Sequence, residues 1–483
     1  MSRRTFQTFN PNKNRFNSEV YTCHSEEEAN SLLIKSEKAY NLLQKKSNVE
    51  IHDLLVVIVD KLRDKKSSIE NIYIKETGLS SDRFDSEFQR TINQTLLFAE
   101  HIISEEYILN QEFKNTTQNK FLIKKKVGVG PVLIIGASNF PLAYSTIGGD
   151  SIAALAAKNP IIVKAHPYHT GTSLLVSKIV IEALDELKFP EGSFTHFIND
   201  NYEFAQFLAT HKTIKAIGFT GSFQGGQAFM KYGMDRVQPI PVFSEMGSVN
   251  PVVILKSLFQ KIPGDFAKEI ASAVCNDSGQ FCTKPGLLFI PKVKGFKTLL
   301  SQIKNEILSF EIQPMLHPEI LRNFEKKIEN LKQAFTIAEL IIEKHHKAQQ
   351  SYYPRKSILI TEITALNNQP FLEEEIFGPH LTILLYEDEQ ELKSQLQTLK
   401  GQLTFSIFNA PDHQEEIIKS LTEIGTRMAG RIIFNGLPTG VEVCASMQHG
   451  GPYPASSDSR FTAVGPHSIE RFQRSVTFQN NRI

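Results

Sequence analysis

Cysteine is scarce: four in 483 residues (Cys23, Cys275, Cys282 and Cys444), with no Cys-x-x-Cys pair. A disulfide framework and a bound metal are therefore not expected, and the usage fits a reducing compartment. Charge of one sign is scarce too. Lys plus Arg number 53 and Asp plus Glu 52, a formal net charge of +1, so neither a nucleic-acid surface nor a like-charged tail is expected. Apolar runs stay well short of the ~20 residues that span a bilayer. Arg3 and Arg4 have no apolar stretch behind them, so neither a secretory signal nor a membrane anchor is expected there. The cytoplasm is the expected location. What remains is an ordinary globular composition, 41% hydrophobic and 22% charged, with chain enough for roughly two or three domains.

Residues 28–110 read as helices, with Leu32, Leu33, Tyr40 and Leu43, then Leu54, Ile58, Val59 and Leu62, at helical spacing. From Val127 the texture changes. Short apolar runs at 131–136, 161–164, 195–198 and 214–220 alternate with helical stretches at 149–157 and 172–187. Such alternation predicts a parallel sheet covered on both faces, with ligands at the carboxyl ends of its strands. A second α/β unit begins near Val252, with strands at 286–290 and 381–385; residues 293–350 between them read as peripheral helices. Lys124–Lys126 reads as a solvated strand edge, and 120–123 and 475–479 as apolar edge strands in want of a partner.

Cys282 stands out among the four cysteines. Gly279 and Gly286 flank it, and glycines beside a cysteine suggest backbone pressed close to a ligand. A thiolate there could attack an aldehyde, pass hydride to a nicotinamide and leave a thioester; alone, the same residue reads more readily as an inert buried cysteine, the usual fate of a free thiol. Asn139, at the end of a strand, offers an amide to a developing oxyanion, or a cap to a following helix. Gly221, Ser222 and Gly226 open a helix after a strand, where backbone N–H groups can approach a pyrophosphate, although Gly-x-Gly-x-x-Gly is absent. Glu245, between apolar residues and Gly247, is a candidate general base. Glu375 and Phe377 share one side of an extended segment, a sugar-hydroxyl acceptor beside an aromatic wall.

Taken in order, Asn139-Phe140-Pro141, Val163-Lys164, Phe219-Thr220-Gly221-Ser222, Glu245-Met246-Gly247, Gly279-Gln280-Phe281-Cys282 and Glu375-Ile376-Phe377-Gly378-Pro379 resemble the aldehyde dehydrogenase superfamily over nearly the whole chain. The resemblance implies an α/β fold: a Rossmann-like cofactor domain (1–110 and 127–245), an α/β catalytic domain (246–454), and a small β oligomerisation arm with the C-terminal return segment (111–126 and 455–483). It implies Cys282 as nucleophile, Glu245 as deacylation base and Asn139 as oxyanion donor. Lys164 and Ser222 would bind the adenosine end of the cofactor, Glu375 and Phe377 the nicotinamide ribose and ring. Phe140, Tyr144, Phe281, Thr283 and Arg460 are the substrate-contact candidates.

Lys164-Ala165-His166-Pro167 and the block from Phe434 to Arg460 look like the α-ketoglutaric semialdehyde dehydrogenases within that superfamily. This implies oxidation of 2,5-dioxopentanoate, an aldehyde with a distal carboxylate, in a homodimer or homotetramer. Many NAD-preferring relatives carry a glutamate three residues after the lysine. Here Pro167 stands there beside His166, so a 2′-phosphate should be tolerated and NADP accepted at least as well as NAD. Ser248, Met246 and Leu437 depart from the common pattern. Other semialdehydes, a CoA-acylating relative and a non-catalytic relative are the rival readings; Glu245 argues against the second and the intact trio against the third. For the distal carboxylate, Arg460 and the residues around 449–451 are the anchor candidates.

Overall fold

A computed structural model describes residues 3–108, 111–115, 120–260, 262–336, 339–343, 352–410 and 415–480. Parts of two expected helical regions, 109–110 and 344–350, lie outside the described residues.

Four long helices open the structure: Glu26–Leu43, Asn48–Asp64, Lys66–Thr77 and Ser81–Ile103. Ser25 and Ser47 start the first two as capping boxes with Glu28 and Glu50, satisfying backbone N–H groups that a helix leaves open. Leu54, Leu55, Ile58, Val59 and Leu62 are fully buried along one stripe, against Ser81–Ile103 and the helix Thr170–Glu186.

Behind them lies a five-stranded parallel sheet, ordered Val242–Glu245, Ala216–Thr220, Val132–Ile135, Ile161–Lys164, Phe194–Phe197. The order reverses between Val132–Ile135 and Ala216–Thr220, which opens a crevice at their carboxyl ends. The strands are almost wholly buried, as the continuous apolar runs require when helices cover both faces.

A second, seven-stranded sheet runs Leu340–Ile342, Ser357–Glu362, His380–Tyr386, Leu287–Pro291, Val252–Ile254, Gln402–Phe408, Ala429–Phe434, parallel except for its first strand. That first strand corrects the sequence reading. Among the described residues of the 293–350 region, only Phe296–Ser309 and Pro318–Ala334 are helical, and Leu340–Ile342 is an antiparallel edge strand. Three apolar residues are too few for periodicity to register.

The third sheet places Lys120–Gly128 between Gln111–Asn115 and Gln473–Gln479, all antiparallel. The lysine run is thus solvated but central rather than an edge, because the two chain segments read as partnerless strands pair with each other. The C-terminal segment also returns to the first sheet. Met246 N–H donates to Ala455 O at 2.9 Å, and Ser457 N–H to Ser244 O at 2.9 Å.

Candidate active site

Cys282 lies in the loop between the helix Phe266–Cys275 and the strand Leu287–Pro291. Asp277, Ser278 and Gly279 adopt φ of 47°, 55° and 70°, a left-handed run that two non-glycine residues hold only when their surroundings fix them. Asp277 is fixed by Arg83 (Nε–Oδ2 2.7 Å), and Ser278 Oγ donates to Gln313 O at 2.5 Å. On the far side of the thiol, Asn250 Nδ2 donates to Cys282 O at 2.7 Å and to Lys284 O at 2.9 Å. The chain therefore enters and leaves Cys282 under restraint.

Glu245 ends the last strand of the first sheet, and His449 reaches it from the C-terminal segment. His449 Nε2 is 2.8 Å from Glu245 Oε1 and 3.9 Å from Cys282 Sγ. Sγ, Nε2 and a Glu245 carboxylate oxygen all lie within 4.8 Å of one another. Glu245 Oε2 is buried with no hydrogen-bond partner, an open acceptor beside the thiol. His449 is itself held by its backbone: its N–H donates to Thr462 Oγ1 at 3.0 Å, and its carbonyl accepts from Ala463 N–H at 2.7 Å. Burial, and then the negative charges of Glu245 and Glu375, push the Cys282 thiol well above its usual range, with Arg90 acting the other way. The resting side chain is a thiol, so attack requires a nearby proton acceptor.

Asn139 does not begin a helix; it sits in the irregular stretch 137–148, and the next helix starts at Gly149. Its Nδ2 donates to Gln280 O at 2.8 Å, which puts the amide beside the cysteine loop. Glu87 and Arg83, one turn apart on the helix Ser81–Ile103, tie these loops together. Glu87 Oε1 accepts from Leu142 and Ala143 N–H at 2.8 and 2.9 Å. Arg83 joins Glu87 (3.0 Å) to Asp277, and its Nη2 donates to Asn139 O at 3.3 Å. Phe140 stands 5.2 Å from the Tyr144 ring and 5.8 Å from that of Phe281, and these three form an aromatic wall. Thr283 is buried. Arg460 is not drawn into this cluster: its side chain is 79% exposed and paired with Asp458.

Lys164, at the carboxyl end of its strand, is buried, and its amine makes only a 3.5 Å contact with Ala165 O. Burial lowers its pKa to about 8. A buried amine with no carboxylate partner among the described residues suits an anionic or hydroxyl-rich ligand. His166 stacks on His169 (5.2 Å) and accepts from Tyr168 N–H at 3.2 Å beside Pro167. Burial, then the neighbouring positive groups, hold His166 well below the usual histidine range, so it is neutral. Ser222 caps the helix Phe223–Met234 by accepting from Gly225 N–H at 3.2 Å. Gly221 packs on the Phe219 ring, and Gly226 on Met246, where any side chain would collide. Glu375 fills the space where a Gly247 side chain would be. Burial raises Glu375 to about 7, against the opposing charges of Lys284 and Lys327. Phe377 is half-buried two residues further on.

The sequence model of the aldehyde dehydrogenase family matches residues 1–475. The chain belongs to that family. An α-ketoglutaric semialdehyde dehydrogenase of Acinetobacter baylyi is 36% identical over 441 residues, 89% of this chain and 82% of that protein. α-Ketoglutaric semialdehyde dehydrogenase 2 of Azospirillum brasilense is 34% identical over 438 residues, 89% and 81% of the two chains. Among solved structures, the aldehyde dehydrogenase KauB from Pseudomonas aeruginosa superposes with a TM-score of 0.84 at 16% identity, covering 99% of this chain and 93% of that one. The expected fold is therefore the observed one. Aldehyde dehydrogenases are oxidoreductases that take NAD or NADP, and the buried lone amine of Lys164 and the carboxyl of Glu375 beside the crevice fit such a group.

Two residues of this aldehyde dehydrogenase escaped the sequence reading as parts of its machinery. His449 reads from the sequence only as one of the residues around 449–451 offered as a carboxylate anchor; its signal is a histidine ahead of Gly450-Gly451, 204 residues from its partner Glu245. Asn250, with φ 43°, carried no local signal. No helix among the described residues is long and apolar enough to cross a membrane.

Proposed function

We propose that this aldehyde dehydrogenase oxidises 2,5-dioxopentanoate to 2-oxoglutarate through a thioester on Cys282, with NADP accepted at least as well as NAD. The observation that carries the chemistry is the buried His449–Glu245 pair beside the Cys282 thiol. The two semialdehyde dehydrogenases, 36% and 34% identical, support the substrate.

His449 Nε2 faces both the thiol and Glu245 Oε1. Carrying a proton, it donates to the carboxylate 2.8 Å away rather than to the sulfur at 3.9 Å. This fixes Glu245 with Oε2 open to receive the thiol proton. The sulfur adds to the aldehyde carbon, and the oxyanion is held by Asn139 Nδ2 and the Cys282 N–H. Bound NAD(P) supplies the hydride acceptor. Glu245, having released the thiol proton to solvent, then takes a proton from a water that attacks the thioester, and Cys282 leaves with the bonding pair. His449 positions the base throughout. Lys164 and Ser222 hold the adenosine end, Glu375 and Phe377 the nicotinamide ribose and ring. With His166 neutral, Lys164 is the cation left to favour a 2′-phosphate.

In this reading 1–110 and 127–245 form the cofactor domain, 246–454 the catalytic domain, and 111–126 with 455–483 the arm. The outer edges of Gln111–Asn115 and Gln473–Gln479 are the places where subunits of a homodimer or homotetramer would add strands, in the cytoplasm. The test is kcat/KM for 2,5-dioxopentanoate, succinic and glutaric semialdehydes and uncharged aldehydes, each with NADP and NAD. The highest value is expected for 2,5-dioxopentanoate. A preference for uncharged aldehydes sinks the substrate, and a strong preference for NAD sinks the cofactor.

A further inference from the structure

Two arginines approach the site from opposite sides without a carboxylate between them. Arg90 projects from the helix Ser81–Ile103; its Nη1 donates to Val441 O at 2.5 Å and its Nη2 to Tyr144 OH at 3.1 Å. Arg431 projects from the strand Ala429–Phe434; its Nη1 donates to Gly440 O at 2.9 Å and its Nη2 to Pro438 O at 2.6 Å. Both guanidiniums grip the same 438–441 segment. Each keeps a buried Nε–H with no partner, and neither forms an ion pair among the described residues.

The pair is also close to the reacting centre. Tyr144, bonded to Arg90, has its ring 6.4 Å from that of His449, which is 3.9 Å from the thiol. Burial lowers the Arg431 pKa, and Cys282 or Tyr144, once ionised, would act in the opposite sense. Two partly buried cations whose donors meet carbonyls, a phenol and, at 4.0 Å, the Met447 sulfur leave positive charge uncompensated. A guanidinium's planar donors match a carboxylate. The exposed Arg460, already paired with Asp458, offers nothing comparable.

We infer that Arg90 and Arg431 together form the subsite for the distal carboxylate of the aldehyde, with the 438–441 segment as its floor. The substrate then lies along the Phe140–Tyr144 wall, its aldehyde at Cys282 and its anionic end between the two guanidiniums. This deepens the proposed function and rests on its claim that the substrate carries a distal carboxylate.

The test compares glutaric semialdehyde with pentanal, which has the same chain length and no carboxylate. The readout is the ratio of their kcat/KM values in wild type, Arg90→Gln, Arg431→Gln and the corresponding lysine variants, with folding checked by Tm. A wild-type ratio well above one that falls about 100-fold in each glutamine variant and about tenfold in each lysine variant supports the subsite. A high wild-type ratio that the variants leave in place overturns the subsite alone. A wild-type ratio near one removes the carboxylated substrate and the subsite with it. If a glutamine variant fails to fold, the lysine variant at that position decides.

Discussion

The thiol end of the site and the nucleotide end are built on opposite principles. At the thiol end, Glu245, His449 and Cys282 are already engaged with one another, and the cysteine loop is fastened by Asn250, Arg83 and Asp277. At the proposed nucleotide end, Lys164 has only a 3.5 Å carbonyl contact, and the Glu375 carboxylate packs against Gly247 while its backbone carbonyl accepts from Lys327 Nζ at 2.7 Å. A preorganised reaction centre keeps its geometry when empty. A binding crevice instead leaves groups unsatisfied until the ligand satisfies them. Substitutions at the first end should therefore strike chemistry, and those at the second end affinity.

The largest expected effect is that of Cys282→Ala. Turnover should fall by at least ~10⁴, while NADPH fluorescence titration still shows binding; residual turnover near wild type would break the assignment. Next comes Glu245→Gln. It should slow the burst of NADPH, because the thiol loses its proton acceptor, and lose about 10²–10³ in the steady rate, because the hydrolytic half loses its base as well. A steady rate near wild type would remove Glu245 from deacylation, and a stopped-flow burst at the wild-type rate would remove it from deprotonating Cys282. The smallest effect belongs to Lys164→Ala, with KM for NADP raised ~10-fold and kcat within about twofold. Its pH dependence sharpens the contrast. The Lys164 amine, lowered to about 8 by burial, is charged below that pH and neutral above it. Wild-type affinity for NADP should weaken as pH rises through about 8, and the alanine variant should lose this dependence. Equal pH profiles for the two proteins would place the recognition of phosphate elsewhere.

Much of the fold was legible because its signals are local. The runs at 161–164 and 381–385 are apolar but for Lys164 and Thr382, because each becomes a strand with both faces covered. The helix of Leu54 to Leu62 announces itself by its spacing. Leu340–Ile342 and the pairing of Lys120–Gly128 with Gln473–Gln479 were not legible, since one is three residues long and the other joins segments about 350 residues apart. The site divides in the same way. Cys282, Glu245 and Asn139 come with telling neighbours in the chain. His449 comes with little more than the two glycines after it and Arg90 and Arg431 with none, and all three gain meaning from what the fold sets opposite them.

The Arg83–Glu87 pair has a consequence for how the enzyme accommodates two ligands. Asn139 follows a strand of one sheet and Cys282 precedes a strand of the other, yet both loops are gauged against one turn of one helix. A movement that widened the crevice for a nucleotide would carry the amide and the sulfur in step. The chain can then open toward one ligand without disarming itself toward the other.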